Sequence, residues 1–146
     1  MKYTPKRTFL CSIICTALIL FSCNSDDDAN EMAECEEVFC TLELVTIVVS
    51  IQDINQNPVA LDSYEVINLA TGESLPTAFT DGDFETAQQT GIYPIAGDGS
   101  FAQNQEAELQ LRGFINDEQV ITSDYVVATD CCHISLVSGN VELILE

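Results

Sequence analysis

Short apolar runs separated by turn residues fill the chain from residue 41 onward, and they limit its fold more than any other feature. The predicted strands cover residues 41–51, 59–69, 91–95, 106–115, 120–129, 133–137 and 141–145. Their spacing of about 8–12 residues, without a helical period, predicts an all-β fold, an antiparallel β-sandwich of about seven strands. In the first run apolar residues occupy both parities, so we expect that strand to be covered on both faces.

Turn residues indicate how some of these strands connect. Residues 116–119 predict a hairpin between the strands at 106–115 and 120–129, and Ser138-Gly139-Asn140 predicts another between the last two strands. Pro94 lacks an amide proton, which makes 91–95 an edge strand. Residues 75–84 contain the turn sequence Asp81-Gly82-Asp83, and their structure stays ambiguous.

The first 22 residues have the layout of a signal peptide. Lys2, Lys6 and Arg7 precede a run of 13 apolar and small residues, 9–21. A bilayer needs about 20 apolar residues, so this run predicts the central region of a signal peptide and not a membrane span. Cys11 and Cys15 would leave with it.

Leu20-Phe21-Ser22-Cys23 resembles the cleavage signal of bacterial lipoproteins. The resemblance implies cleavage before Cys23, a diacylglycerol on its thiol and an acyl chain such as palmitate on its amine. Ser25-Asp26-Asp27-Asp28 resembles the lipoprotein export signal of Bacteroidota, which implies an outer-membrane protein that faces the cell exterior. The alternatives are a secretory peptide without lipid and an acidic spacer without a sorting role.

We therefore expect three segments: the signal peptide at 1–22, a lipidated cysteine with an acidic tether at 23–40, and the β-sandwich domain at 41–146. The chain carries 4 basic and 24 acidic residues, and Arg112 is the one base after Cys23. All 24 acids follow Cys23, which gives this part a formal charge of −23. Because nucleic-acid binding depends on Lys and Arg, this charge excludes DNA and RNA as partners.

Four cysteines remain for the folded domain, and in an oxidising compartment an even number predicts disulfides. A bridge between Cys131 and Cys132 would close a strained ring. Neighbouring side chains of an extended segment point in opposite directions, so we expect these two to pair with Cys35 and Cys40, in an order that stays open. The alternative is a zinc or copper(I) site formed by the same cysteines and His133.

Residues 50–73, SIQDINQNPVALDSYEVINLATGE, resemble the carboxypeptidase regulatory-like, or transthyretin-like, sandwich family. That family has a D-x-x-G-x-P-V turn, and Asn57 stands where it usually has Gly-x before Pro58. The segment from Tyr125 to Gly139 resembles surface lipoproteins of the same bacterial group. Both resemblances imply a transthyretin-like or immunoglobulin-like fold and a location, and neither implies a reaction.

No catalytic motif is present, so we expect a binding or structural module and neither an enzyme nor a cofactor-dependent protein. The partner would be another envelope protein or an extracellular ligand, docked by strand addition along residues 92–95 near Tyr93. One alternative is a calcium-dependent adhesion or ligand-binding module with Asp81, Asp83 and Asp98-Gly99 as oxygen ligands. The other is a hydrolase with His133 as base beside Ser135 or Ser138. We expect His133 itself to be a solvent-facing strand residue.

Overall fold

A computed structural model describes residues 35–76 and 80–146. This part of the chain forms seven strands and one helix: β1 Thr46–Asp53, β2 Ser63–Asn68, α1 Asp81–Thr90, β3 Ile92–Gly97, β4 Glu106–Ile115, β5 Glu118–Thr129, β6 Ile134–Ser138 and β7 Glu142–Leu145. One sheet has the order β3-β1-β7 and the other β2-β4-β5-β6. The predicted all-β sandwich of about seven strands is confirmed. Cleavage and lipidation at Cys23, and the tether up to residue 34, lie outside the described residues.

The core lies between the two sheets and follows the alternation of the strands. Ile47, Val49 and Ile51 of β1 are buried, whereas Val48 is 42% exposed. The prediction that this strand is covered on both faces is therefore wrong, because its apolar residues of the second parity face solvent. The other fully buried aliphatic side chains belong to β2, β4, β5 and the segment before β2: Leu61, Val66, Leu109, Leu111 and Val127.

The hairpin of β4 and β5 forms where the turn residues predict it. Asn116 and Asp117 have φ angles of 53° and 62°, as a tight two-residue hairpin turn requires, and Asn and Asp tolerate that conformation. The two strands pair antiparallel along their whole length, from Glu106 opposite Ala128 to Ile115 opposite Glu118.

The predicted hairpin between the last two strands is wrong. β6 pairs with β5, but β7 crosses to the other sheet and pairs parallel with β1. On the edge of β1 the side chains of Val141, Leu143 and Leu145 pack against the buried core, which is the physical reason for this pairing. The connecting turn lies close to Tyr125: its hydroxyl donates to the Asn140 carbonyl at 2.9 Å, and a Cβ atom on Gly139 would lie 2.3 Å from its ring.

Helix α1 occupies residues where we predicted a turn. Thr80 caps it: the Asp83 amide donates to Thr80 Oγ1, and the Asp83 carboxylate accepts from the Thr80 amide and hydroxyl, at 3.2 and 2.7 Å. Gly91 ends the helix with a φ of 69°. Gln88 donates to the Leu61 carbonyl at 2.8 Å, which attaches the helix to the segment before β2.

Candidate functional site

The four cysteines of the folded domain come together at the end where the chain enters it. Cys35 is bonded to Cys131 and Cys40 to Cys132, across 96 and 92 residues. This is the cross-pairing that the sequence favours, and it supplies the order that the sequence left open. We call residues 35–45, Asp98 and residues 130–134 the entry end.

Asp98 connects three segments of the entry end. Its carboxylate accepts from the backbone amide of Val45, just before β1, and from that of Ile134, the first residue of β6, both at 2.8 Å. The Asp98 amide donates in return to the Val45 carbonyl at 3.0 Å. The amide of Val45, the His133 ring and the amide of Ile134 together lower the pKa of Asp98 to about 2.

Both ring nitrogens of His133 have a hydrogen-bonding partner. The prediction that His133 is a solvent-facing strand residue is therefore wrong. It lies before β6 with 27% of its side chain exposed. Nδ1 lies 2.9 Å from Asp98 Oδ2, and because a carboxylate only accepts, Nδ1 carries the proton. Nε2 lies 2.9 Å from the Thr41 hydroxyl.

Asp130 positions the backbone that carries the histidine. One oxygen of its carboxylate accepts from the amides of Cys132 and His133, at 2.7 and 2.8 Å. These two hydrogen bonds lower the pKa of the Asp130 carboxyl, and the one from the His133 amide has the larger effect. The turn between β5 and β6 is thus stabilised by the carboxylate and by two disulfides.

The order Thr41–His133–Asp98 is that of a nucleophile, a base and an orienting acid. An oxyanion also needs free donors, but the neighbouring amides of Cys132 and His133 already donate to Asp130. Ser135 donates to the Ala128 carbonyl at 3.3 Å instead of facing the histidine. The same hydrogen bonds hold the entering chain against the domain.

The residues considered for metal binding have other roles in the structure. The cysteines are in disulfides and offer no thiolates to zinc or copper(I). Asp83 caps α1, which corrects the turn predicted at Asp81-Gly82-Asp83, and Asp98 binds two amides and a histidine. Across residues 35–76 and 80–146 no group of three or more His, Cys, Asp and Glu side chains is arranged for a metal ion.

The strand predicted for docking, β3, lies at a sheet edge, but its own chain uses several of its polar groups. The Tyr64 hydroxyl donates to the Pro94 carbonyl at 3.2 Å, and the Ile92 amide donates to the Thr90 hydroxyl at 3.3 Å. An open cavity of about 350 Å³ adjoins this strand, with Leu44, Leu75 and Ala96 in its lining. Strand addition at β3 stays a prediction, with the Pro94 carbonyl and the Ile92 amide already bonded within the chain.

Residues 38–44, which we call the apolar arm, are the feature that the sequence did not single out. Phe39 is 99% exposed, Leu42 102% and Leu44 84%, although they belong to the entry end, which is bonded to the domain. The sequence contains a signal for this exposure, since Glu36 and Glu37 directly precede the apolar residues and Glu43 lies between Leu42 and Leu44. The sequence predicts that residues 38–40 belong to the tether and residues 41–44 to the first strand, whereas β1 begins at Thr46.

Comparisons with known proteins give no relative. No family model matches the chain, and no similar protein was found among the curated proteins or the solved structures. In the part of the chain that the structure describes, no helix has the length and apolar character needed to cross a membrane.

Proposed function

We propose that this protein is a lipid-anchored lipoprotein of the outer bacterial envelope, exposed on the cell surface, and that its sandwich domain is a non-catalytic binding or structural module. The observation that carries the proposal is the lipoprotein-type cleavage signal that ends at Cys23. Cys23 lies 12 residues before Cys35, the first residue with a covalent bond to the folded domain. An extended chain of that length spans about 40 Å, so the entry end would stay close to the membrane.

The disulfides suit this location for two physical reasons. They persist in oxidising compartments, which include the cell surface. They also join the incoming chain to the turn between β5 and β6, so tension on the anchor would pass through covalent bonds into the domain. Without the disulfides, the entering chain would be held at this point by the hydrogen bonds of Thr41 and Val45, and these would break under a smaller tension than covalent bonds.

The turn after β1 supports the transthyretin-like resemblance. The Asp53 carboxylate accepts from the amides of Asn55 and Asn57, both at 2.8 Å, and from the Asn57 side chain at 2.9 Å. Gln56, which together with Asn57 occupies the Gly-x positions before Pro58, has a φ of 67°, a left-handed conformation that glycine adopts without strain.

The anchor is tested by feeding cells that produce the full chain with an alkyne analogue of palmitate. We expect label on the parent and on Cys15→Ser, which changes a cysteine of the signal peptide, and none on Cys23→Ser. Label that persists on Cys23→Ser would contradict lipidation at this residue. No lysine follows Cys23, so surface display is measured with an antibody against an epitope appended after Glu146 and not with amine reagents. We expect Asp26, Asp27 and Asp28→Asn together to reduce antibody binding to intact cells.

A hydrolase is the second candidate, because Thr41, His133 and Asp98 have the required order of contacts. It would lose hydrolysis of p-nitrophenyl esters in His133→Ala and in Thr41→Val. Hydrolysis that is equal in parent and variants would leave the non-catalytic proposal standing.

A further inference from the structure

We propose that the apolar arm, residues 38–44, is the docking surface of this protein, and that its partner is an envelope protein with an apolar cleft bordered by Lys and Arg. The inference rests on the proposed function, a binding module, and names the surface and the chemistry of its partner.

The side chains of the arm bury little of their area in the domain. Phe39, Leu42 and Leu44 are each at least 84% exposed, and Val38 is 47% exposed. Burial of apolar side chains is the main favourable term in protein association, so the folded domain leaves a large driving force unused. Contiguous exposed apolar residues with a polar border mark interaction sites.

The backbone of the arm is also available. From Phe39 to Leu44 no backbone amide or carbonyl forms a hydrogen bond with another described residue, whereas the Val38 amide donates to the Cys35 carbonyl. A partner could therefore bind both the side chains and the main chain of this segment, as in strand addition.

The arm is fixed in its middle and directly after its last residue, which lowers the entropic cost of binding. Cys40 is bonded to Cys132, Thr41 contacts His133, and Val45 donates to Asp98. A segment restrained in this way loses less conformational freedom on docking than a free peptide.

Charge selects the kind of partner. From residue 35 onward the chain carries 19 acidic residues and one base, and three of the acids, Glu36, Glu37 and Glu43, lie in or beside the arm. The base, Arg112, lies 3.6 Å from Glu65, on strands of the other sheet. A second copy of this chain or an anionic membrane would be repelled, whereas a cleft with a basic border would be attracted.

The test places the photo-crosslinker p-benzoylphenylalanine on the full lipidated chain in intact cells, at Phe39 or Leu42, and for control at Ile54 or Ile144. The control residues are 71% and 66% exposed and apolar, but they lie at the opposite end of β1 and on β7. We expect one protein adduct from both arm positions and none from the controls. Its crosslinked peptide should contain apolar residues together with Lys or Arg, and high salt should reduce the yield.

The affinity of the purified partner for substituted variants then shows how much single residues contribute to binding. We expect Leu42→Ser to weaken it at least about tenfold, as for a central interface residue, and Ile54→Ser to change it less than about twofold. Glu43→Gln should weaken it mainly at low salt. Unchanged thermal melting of the variants shows that the domain stays folded.

Four results would overturn the proposal: an adduct with lipid, an adduct with a second copy of this chain, equal adducts at Ile54 and Leu42, or no adduct at all. Because palmitate labelling is measured separately, a failure of the arm with label retained on Cys23 would reject the docking surface and keep the anchor.

Discussion

Asp98 and His133 are 35 residues apart, and their side chains meet at 2.9 Å beside the two disulfides. The carboxylate also accepts two backbone amides, Val45 before β1 and Ile134 at the start of β6. The pair thus connects both sheets of the sandwich at the point where the chain enters. The entry end is held by charge-assisted hydrogen bonds in addition to covalent bonds.

Asp98→Ala should destabilise the domain, because the amides of Val45 and Ile134 lose their acceptor. We expect the melting temperature to fall by several degrees, with a smaller fall for His133→Ala, which leaves both amides bonded. Thermal unfolding followed by circular dichroism gives the comparison. Glu118→Gln, an exposed carboxyl at the start of β5, is the control, and an equal shift in Asp98→Ala and Glu118→Gln would refute the assignment.

Acid should remove part of this stabilisation. Hydrogen bonds lower the pKa of Asp98 to about 2 from its ordinary value of 3.8, so the folded state favours the ionised form. Its contribution is therefore complete above about pH 4 and declines as the pH falls toward 2. Repulsion among the other acids also changes with pH, so the measured quantity is the difference in urea midpoint between parent and Asp98→Asn. We expect the difference to shrink between pH 5 and pH 2.5, and a constant difference would count against it.

The two disulfides should stabilise the domain non-additively. With one bridge intact, the other closes a loop of only about eight residues, worth about 2.5 kcal/mol in the chain-entropy model. With both absent, the loss also includes closure of the loop across 92–96 residues, and the total reaches about 7 kcal/mol. Denaturation of each Cys→Ala pair and of the quadruple variant measures this. The idea fails if the quadruple variant loses no more than the sum of the two pairs.

Gly139→Ala should be costly, because position 139 has a φ of 130° and a Cβ atom would lie 2.3 Å from the Tyr125 ring. We expect a loss of about 2–4 kcal/mol from strain and overpacking. Gly72→Ala is the matched control: its φ is 73°, but nothing lies within 4 Å of the added atom, so its cost should be about 1 kcal/mol. Equal losses in denaturant unfolding would show that the contact with Tyr125 is unimportant.

Gln56→Gly should raise stability by up to about 1 kcal/mol, because glycine adopts the φ of 67° without a steric cost. Asn55→Gly in the same turn is the control. Its φ is not positive, so glycine adds only backbone entropy to the unfolded state and should lower stability. The midpoints of urea unfolding separate the two, and a loss in Gln56→Gly would contradict the prediction.

Helix α1 shows what a sequence pattern can hide. Thr80-Asp81-Gly82-Asp83 reads as a turn, because Asp and Gly are turn residues and few apolar side chains follow at helical spacing. The signal that would have found the helix is the capping box between Thr80 and Asp83, followed by Gly91 at the C-terminal end. The capping residues are therefore sufficient to predict the helix, but the same Asp and Gly residues are also typical of a turn.

The sequence alone determined the strands, the all-β class, the tight turn at Asn116-Asp117 and the cysteine sets that would pair. These features depend on alternation and on residues near each other in the chain. Only the tertiary structure decided that β7 pairs parallel with β1, that Cys35 meets Cys131, and that Asp98 reaches His133. Pairing of distant segments depends on which arrangement buries more apolar surface, and on the edge of β1 the side chains of Val141, Leu143 and Leu145 pack against the core.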